Sequence, residues 1–200
     1  MSVSQLTASP VARLVFKEIK EGDLLKMQAK SNVKKSGGGA RDFRFGSYKK
    51  ISPMLDKLFP EKELVSRVRK KAKTKVSIGK GRFYWEEGGT ILSKESCLEP
   101  PTTARASEAR ITKVHQYPCF DVSKIPVPSE NDRGLFLLIQ REDGSVWPYF
   151  INEQSLKTPG DWDKNVADEL LKCLNAKRSD NTSALGYIDF KTGEKYCNGK

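Results

Sequence analysis

Apolar positions near the start of the chain predict a helix. Ser9 and Pro10 are typical of a helix start, and four apolar residues then recur on one helical face up to Ile19. We therefore predict a first helix over about 10–20, ending before Gly22. Residues 22–30 are too few for periodicity to separate a helix from a strand, and we favour a strand there.

Two further helices are predicted in the middle of the chain. Ser52 and Pro53 repeat the helix-start pattern before MLDKLF, which indicates a short helix ending at the next proline. Residues 61–72 carry Leu64, Val65 and Val68 at helical spacing, followed by RKKAKTK. This segment predicts a basic helix that runs into a basic strand.

Hydrophobic alternation becomes the dominant pattern from about residue 74. Residues 74–94 predict a strand and then a hairpin whose turn is Gly88-Gly89. Residues 134–152 hold the strongest strand pair, and their run Leu135–Ile139 is expected in the central core. Residues 186–198 predict a last hairpin.

Residues 161–177 have the pattern of an amphipathic helix. Aspartates precede it, and Val166, Leu170 and Leu174 fall on one side. Together these elements predict an α+β fold: an antiparallel or mixed sheet built from hairpins, with short N-terminal helices and one amphipathic C-terminal helix packed on it. We expect residues 1–200 to form a single globular domain.

Charge divides this domain into two parts. The 200 residues carry a net charge of +11. Residues 1–82 contain 21 Lys and Arg against 7 Asp and Glu, whereas residues 83–200 contain 15 against 18. Segregation of one sign produces a field that steers an anionic partner. We therefore interpret 1–82 as a basic, nucleic-acid-facing part and 83–200 as a strand-rich scaffold.

Several classes of protein do not fit this sequence. The longest apolar runs are too short to cross a bilayer, and we expect a cytoplasmic protein with reduced thiols. The four cysteines include no CxxC pair, which argues against a zinc site. His115 is the single histidine, and no GxSxG motif accompanies it, so hydrolysis by a serine triad is not expected.

A glycine-rich basic loop is the first candidate binding segment. Three successive glycines allow backbone N–H groups to approach phosphate oxygens closely, and the loop matches neither a Walker nor a Rossmann motif. Phe43 and Phe45 beside it are expected to enter the core from a short strand. The candidate residues are Lys34, Lys35, Ser36, Gly37, Gly38, Gly39, Arg41, Arg44, Lys49 and Lys50.

A dense cationic segment is the second candidate. In a strand, Lys71, Lys73 and Lys75 would share one face, which gives a stripe able to follow a phosphate backbone. Such contacts supply affinity and orientation without revealing a sequence preference. The candidate residues are Arg67, Arg69, Lys70, Lys71, Lys73, Lys75, Lys80 and Arg82.

An enzyme hypothesis rests on acidic residues near the C-terminus. Asp189 and Lys191 have the D-x-K spacing of many restriction-type nucleases, and Asp163 or Asp168 on the preceding helix would supply the second carboxylate. Glu18-Ile19-Lys20 has the same spacing, so the motif is weak.

The sequence thus favours a protein that binds the phosphate backbone of nucleic acid, with DNA as the first candidate. No cofactor is expected in that role. One alternative is a Mg²⁺-dependent nuclease, and another is a non-enzymatic regulator or inhibitor that binds an acidic protein. We also expect the acidic remainder of the chain, residues 83–200, to bind a separate protein partner.

Overall fold

A computed structural model describes residues 10–28, 42–69, 72–102, 106–121, 123, 125, 129, 132–176 and 182–198. Ten strands and three α-helices lie in this described part. The strands are β1 (Val11–Glu18), β2 (Phe43–Phe45), β3 (Glu61–Arg69), β4 (Ala72–Glu87), β5 (Thr90–Glu99), β6 (Ala109–Ile111), β7 (Gly134–Arg141), β8 (Val146–Asn152), β9 (Leu185–Asp189) and β10 (Lys195–Cys197). The helices are α1 (Glu21–Gln28), α2 (Tyr48–Leu58) and α3 (Lys164–Leu174).

All ten strands belong to one sheet. Nine of them follow the order β10-β9-β1-β7-β8-β4-β5-β6-β2, and β3 pairs with β4 outside this path. The pairings among the described strands are antiparallel except between β4 and β8, where Phe83 meets Val146 in parallel. The sheet curls like half of a barrel.

Each face of the sheet carries its own hydrophobic core, because side chains alternate between the two faces along a strand. The aromatic core, on the face covered by α2, includes Phe43, Phe45, Ile51, Leu55, Phe83, Phe136 and Tyr187. The second core, on the face covered by α3, includes Leu14, Phe16, Leu137, Ile139, Val166, Leu170 and Ile188.

The expected α+β fold is wrong, because the described chain is mostly β. Residues 11–18 form a central strand, β1, that pairs with β7 on one side and β9 on the other. Val15 of β1 enters the aromatic core and Leu14 enters the second core. A strand buried on both faces carries apolar residues in runs, and here those runs imitate helical spacing.

Two other segments also differ from their predictions. Residues 61–69 are strand β3, not a helix, and Leu64 and Val65 alternate across its two faces in the pairing with β4. Residues 21–28 are helix α1, not a strand. Asp23 in the first turn of α1 accepts a hydrogen bond from the amide of Lys20 at 3.2 Å, an arrangement that favours a helix start.

The remaining local predictions agree with the structure. The hairpins β4–β5, β7–β8 and β9–β10 form, and α3 packs its apolar side on the sheet. Helix α2 begins at Tyr48, earlier than predicted, so Pro53 lies inside it. Pro53 has no N–H for the carbonyl oxygen of Lys49, and the Ser52 hydroxyl donates to that oxygen at 3.4 Å.

The expectation of reduced thiols is wrong at two cysteines. Cys173 of α3 and Cys197 of β10 form a disulfide, with their Cα atoms 5.2 Å apart. The sequence did not predict this disulfide, because the 24-residue separation of the two cysteines does not reveal that α3 and β10 are neighbours in the fold. Cys97 and Cys119 are free thiols.

Candidate nucleic-acid interface

Strand β3 and the first part of β4 form a two-stranded ribbon. Their register runs from Glu61 opposite Lys80 to Arg69 opposite Ala72. Strand β5 pairs with β4 only from Gly79 onwards. Residues 72–78 therefore pair with β3 alone among the described strands. The Ile78 side chain is still buried, so the part beyond it is residues 72–77, which extend roughly 20 Å at about 3.4 Å per residue.

Both faces of this ribbon meet solvent. On one face Leu64 is 69% exposed, and Ser66 and Lys75 are exposed beside it. On the other face Thr74 is exposed and Val76 is half-buried. The ribbon is thus an arm and not a layer of the core.

Most of the positive charge of the ribbon lies in a stretch of sequence without acidic residues, and Glu61 and Glu63 stand at its base. Residues 64–85 contain eight Lys and Arg and no Asp or Glu. In the backbone register, Lys73 stands opposite Val68 and Lys75 opposite Ser66, on one face. Arg67 stands opposite Thr74 and Arg69 opposite Ala72, on the other face. Each of these four cationic positions faces an uncharged neighbour across the ribbon.

The base of the ribbon is anchored by the end of α2. A Cβ atom at Gly81 would lie 2.6 Å from the carbonyl oxygen of Leu58, so the helix approaches β4 as closely as a glycine allows. The rings of Phe59 and Phe83 meet edge to face, 5.9 Å apart. This packing ties the arm to the aromatic core.

The two cations nearest the base have partners. The Lys80 ammonium lies 2.6 Å from Glu63 and 3.2 Å from Glu95, and hydrogen bonds to these carboxylates raise the pKa of Lys80. The Arg82 guanidinium donates to the Ser93 hydroxyl at 3.2 Å and is exposed. The charge of Lys80 is therefore compensated by the protein.

Arg44 also lies in an ion-pair network. It is 3.4 Å from Asp42 and 3.3 Å from Glu108. Asp42 is buried and also binds Arg110 at 3.2 Å, so Arg44 helps to hold β2 against β6. Lys49 and Lys50 are exposed in the first turn of α2.

The remaining candidate residues are not described in full. Lys34, Lys35, Ser36, Gly37, Gly38, Gly39, Arg41, Lys70 and Lys71 lie outside the described residues. Arg67, Arg69 and Lys73 are placed by the backbone register of β3 and β4.

Asp189, the central residue of the nuclease hypothesis, is a buried ion-pair partner. Its carboxylate lies 3.1 Å from Arg13 and 2.8 Å from Lys57, and it accepts a hydrogen bond from the amide of Lys191 at 3.0 Å. Burial acts to raise the pKa of Asp189, but the hydrogen bonds from Lys57 and Arg13 outweigh it and the pKa is lowered. The group is therefore an ionised, internally neutralised carboxylate.

The sheet separates Asp189 from the other two acidic candidates. Tyr187 belongs to the aromatic core, so by alternation Asp189 lies on that face, whereas α3 covers the opposite face. Asp163 caps α3 by accepting from the amide of Val166 at 3.1 Å, and Asp168 is exposed. Within the described ranges, no group of three His, Cys, Asp or Glu is placed to hold a metal ion.

Sequence reasoning found the cations of the ribbon but not the ribbon itself. The segment VSRVRKKAKTKVSI has small and β-branched residues on both sides of a central RKK, a pattern typical of a hairpin. The helical spacing of Leu64, Val65 and Val68 led to the prediction of a helix instead.

None of the helices in the described part of the chain has the length and apolar character needed to cross a bilayer. Compared with known proteins, the chain matches no family model, no curated protein and no solved structure.

Proposed function

We propose that the protein binds nucleic acid, with DNA as the first candidate, and that the ribbon makes the main contacts with phosphates. The observation that carries this proposal is the register of β3 and β4. It puts four cationic positions on an exposed two-stranded arm whose sequence has no acidic residue from 64 to 85.

The physical basis is the release of counterions. A Lys or Arg that neutralises a phosphate displaces condensed cations from the nucleic acid, which makes binding favourable at low salt. Residues i and i+2 of a strand are about 7 Å apart, so the pairs 67/69 and 73/75 present a repeated charge along the arm. An arm that extends into solvent reaches a polyanion without distorting the sheet.

The glycine-rich loop supplies a second contact in this proposal. Residues 34–41 lead through β2 to Lys49 and Lys50, which are exposed at the start of α2. Arg44 lies between them but is engaged with Asp42 and Glu108. We expect the loop cations and the two lysines of α2 to add affinity, and Arg44 to act through the stability of β2.

The nuclease and the regulator remain competing predictions. Incubating DNA and RNA with the protein and Mg²⁺ or Mn²⁺ tests the first, and cleavage that persists in Asp189→Asn would contradict the assignment of Asp189 as the catalytic group. Binding to polyglutamate, compared with DNA of equal charge, tests whether the ribbon recognises an acidic protein instead. A protein partner for residues 83–200 also stays a prediction.

The binding proposal is tested by removing charge from the arm. The triple variant Arg67→Gln, Lys73→Gln, Lys75→Gln takes three cations from the ribbon. The matched control Lys157→Gln, Lys164→Gln, Lys172→Gln takes three exposed cations from the α3 side of the sheet. Binding is measured by fluorescence anisotropy with end-labelled DNA.

At 0.1 M salt we expect the ribbon variant to bind on the order of 100-fold more weakly than the natural protein, since each lost phosphate contact removes a counterion-release contribution. The control should lose far less. Circular dichroism and urea unfolding of both variants show whether each remains folded. Equal affinities of the two folded variants would contradict the proposal.

A further inference from the structure

We infer that the ribbon binds duplex DNA by entering the major groove, and not a single strand. This inference rests on the proposed function and names the form of nucleic acid that the arm fits. Three features carry it: the composition of the arm, its thickness, and the distribution of its charge over two faces.

The arm has no aromatic residue with which to stack a base. Residues 61–82 contain no Phe, Tyr or Trp. The aromatic residues that flank this segment are engaged elsewhere. Phe59 and Phe83 are fully buried, Tyr84 stacks on Trp147 with ring centres 6.0 Å apart, and the half-buried Trp85 packs against the aromatic core. Proteins that bind single strands combine cations with aromatic stacking platforms, so the arm provides only half of that chemistry.

The thickness of the arm suits the major groove of B-form DNA. A ribbon of two strands has side chains on both faces and is about 10 Å thick, by analogy with the spacing of stacked sheets. The major groove is about 12 Å wide and admits a two-stranded ribbon, whereas the minor groove is about 6 Å wide. The major groove of A-form RNA is deep and narrow, so duplex RNA is a poorer fit.

The charge of the arm is two-sided. Register positions 67 and 69 lie on one face, and positions 73 and 75 lie on the other. A single strand has one phosphate backbone and would use one face. A groove of duplex DNA has a phosphate backbone on each wall, so a ribbon standing between the walls meets phosphates on both faces.

The experiment compares two variants, each of which removes the cationic residues from one face of the ribbon. Arg67→Gln, Arg69→Gln removes the charge of the first face, and Lys73→Gln, Lys75→Gln removes that of the second. Lys164→Gln, Lys172→Gln is the control that removes the same charge from α3. Each protein is titrated at 0.1 M salt with a 20-base-pair DNA duplex, with one of its single strands, and with duplex RNA of the same sequence.

We expect the natural protein to bind duplex DNA at least about 10-fold more tightly than the single strand or duplex RNA. Both face variants should weaken duplex binding by a similar factor, on the order of 10-fold or more, since each loses two phosphate contacts. Bound protein should exclude the major-groove dye methyl green and leave the minor-groove ligand netropsin in place.

The outcomes distinguish failure of the duplex inference from failure of the proposed nucleic-acid binding. If both face variants lose affinity but the single strand or duplex RNA binds as tightly as duplex DNA, the duplex inference fails and nucleic-acid binding stands. A loss from one face alone, or displacement of netropsin with methyl green unaffected, also overturns it. If the folded face variants match the control on every nucleic acid, the proposed function itself fails.

Discussion

At the scale of single residues, buried charge in this protein is compensated by specific partners. Asp189 is fully buried, yet Arg13 and Lys57 both bind its carboxylate, and Arg13 also donates to Gln140 at 2.7 Å. These contacts join β9, β1, β7 and α2. A carboxylate in this setting stabilises the fold only while both cations stay paired with it.

Replacing Asp189 with asparagine is expected to destabilise the protein. The variant leaves Arg13 and Lys57 without their buried counter-charge. Because these two side chains are 22% and 37% exposed and solvent screens them, the loss should stay below the about 3–5 kcal/mol of a fully buried pair. The free energy of unfolding in urea measures this loss. Asp168→Asn is the control, because Asp168 is exposed and its replacement should change stability by less than about 0.5 kcal/mol. Equal stability of the two variants would contradict this description of Asp189.

The same carboxylate should make stability depend on pH. Its pKa is lower in the folded protein than the unfolded value of about 3.9, so the folded protein holds the proton less tightly than the unfolded chain. The stabilisation is therefore present above about pH 4 and is lost as the pH falls through the folded pKa.

Acidification from pH 6 to pH 3 should lower the unfolding free energy of the natural protein more than that of Asp189→Asn. The difference isolates Asp189, because other acidic groups with lowered pKa values, such as Glu169 at about 2, are common to both proteins. Parallel pH profiles would show that Asp189 does not contribute in this way.

At the scale of elements, the sequence predicts what local contacts determine. Helix α3 and the β7–β8 hairpin were predictable because each pattern is set by its own residues and by one buried face or one turn. Strand β1 was not, because its burial on both faces depends on β7, β9 and two separate cores. Strand β3 was misread because exposure of both its faces removes the alternation that marks a half-buried strand.

The junction of α2 and β4 should tolerate no side chain at position 81. Gly81→Ala places a methyl group 2.6 Å from the Leu58 carbonyl oxygen, and relieving that clash should cost about 1–3 kcal/mol of unfolding free energy. Gly46→Ala is the control, since a Cβ atom there meets nothing within 4 Å. Urea unfolding compares the two, and an unaffected Gly81→Ala would show that α2 does not press on β4.

At the scale of the whole molecule, ion pairs neutralise part of the positive charge that the sequence concentrates in residues 1–82. Arg13 and Arg44 belong to the basic part of the chain, but both are partly buried and ion-paired. Sequence alone does not show which cations the protein neutralises itself. In the backbone register, positions 67, 69, 73 and 75 of the arm lie opposite uncharged residues instead.

The salt dependence of DNA binding tests this central claim most directly. Dissociation constants are measured from 50 to 300 mM NaCl for the natural protein and for Arg67→Gln, Arg69→Gln, Lys73→Gln, Lys75→Gln. Each phosphate contact contributes about 0.9 to the slope of log K against log salt on duplex DNA. We predict that the four substitutions reduce the slope by about 3 to 4, and an unchanged slope would contradict the claim that the ribbon binds phosphates.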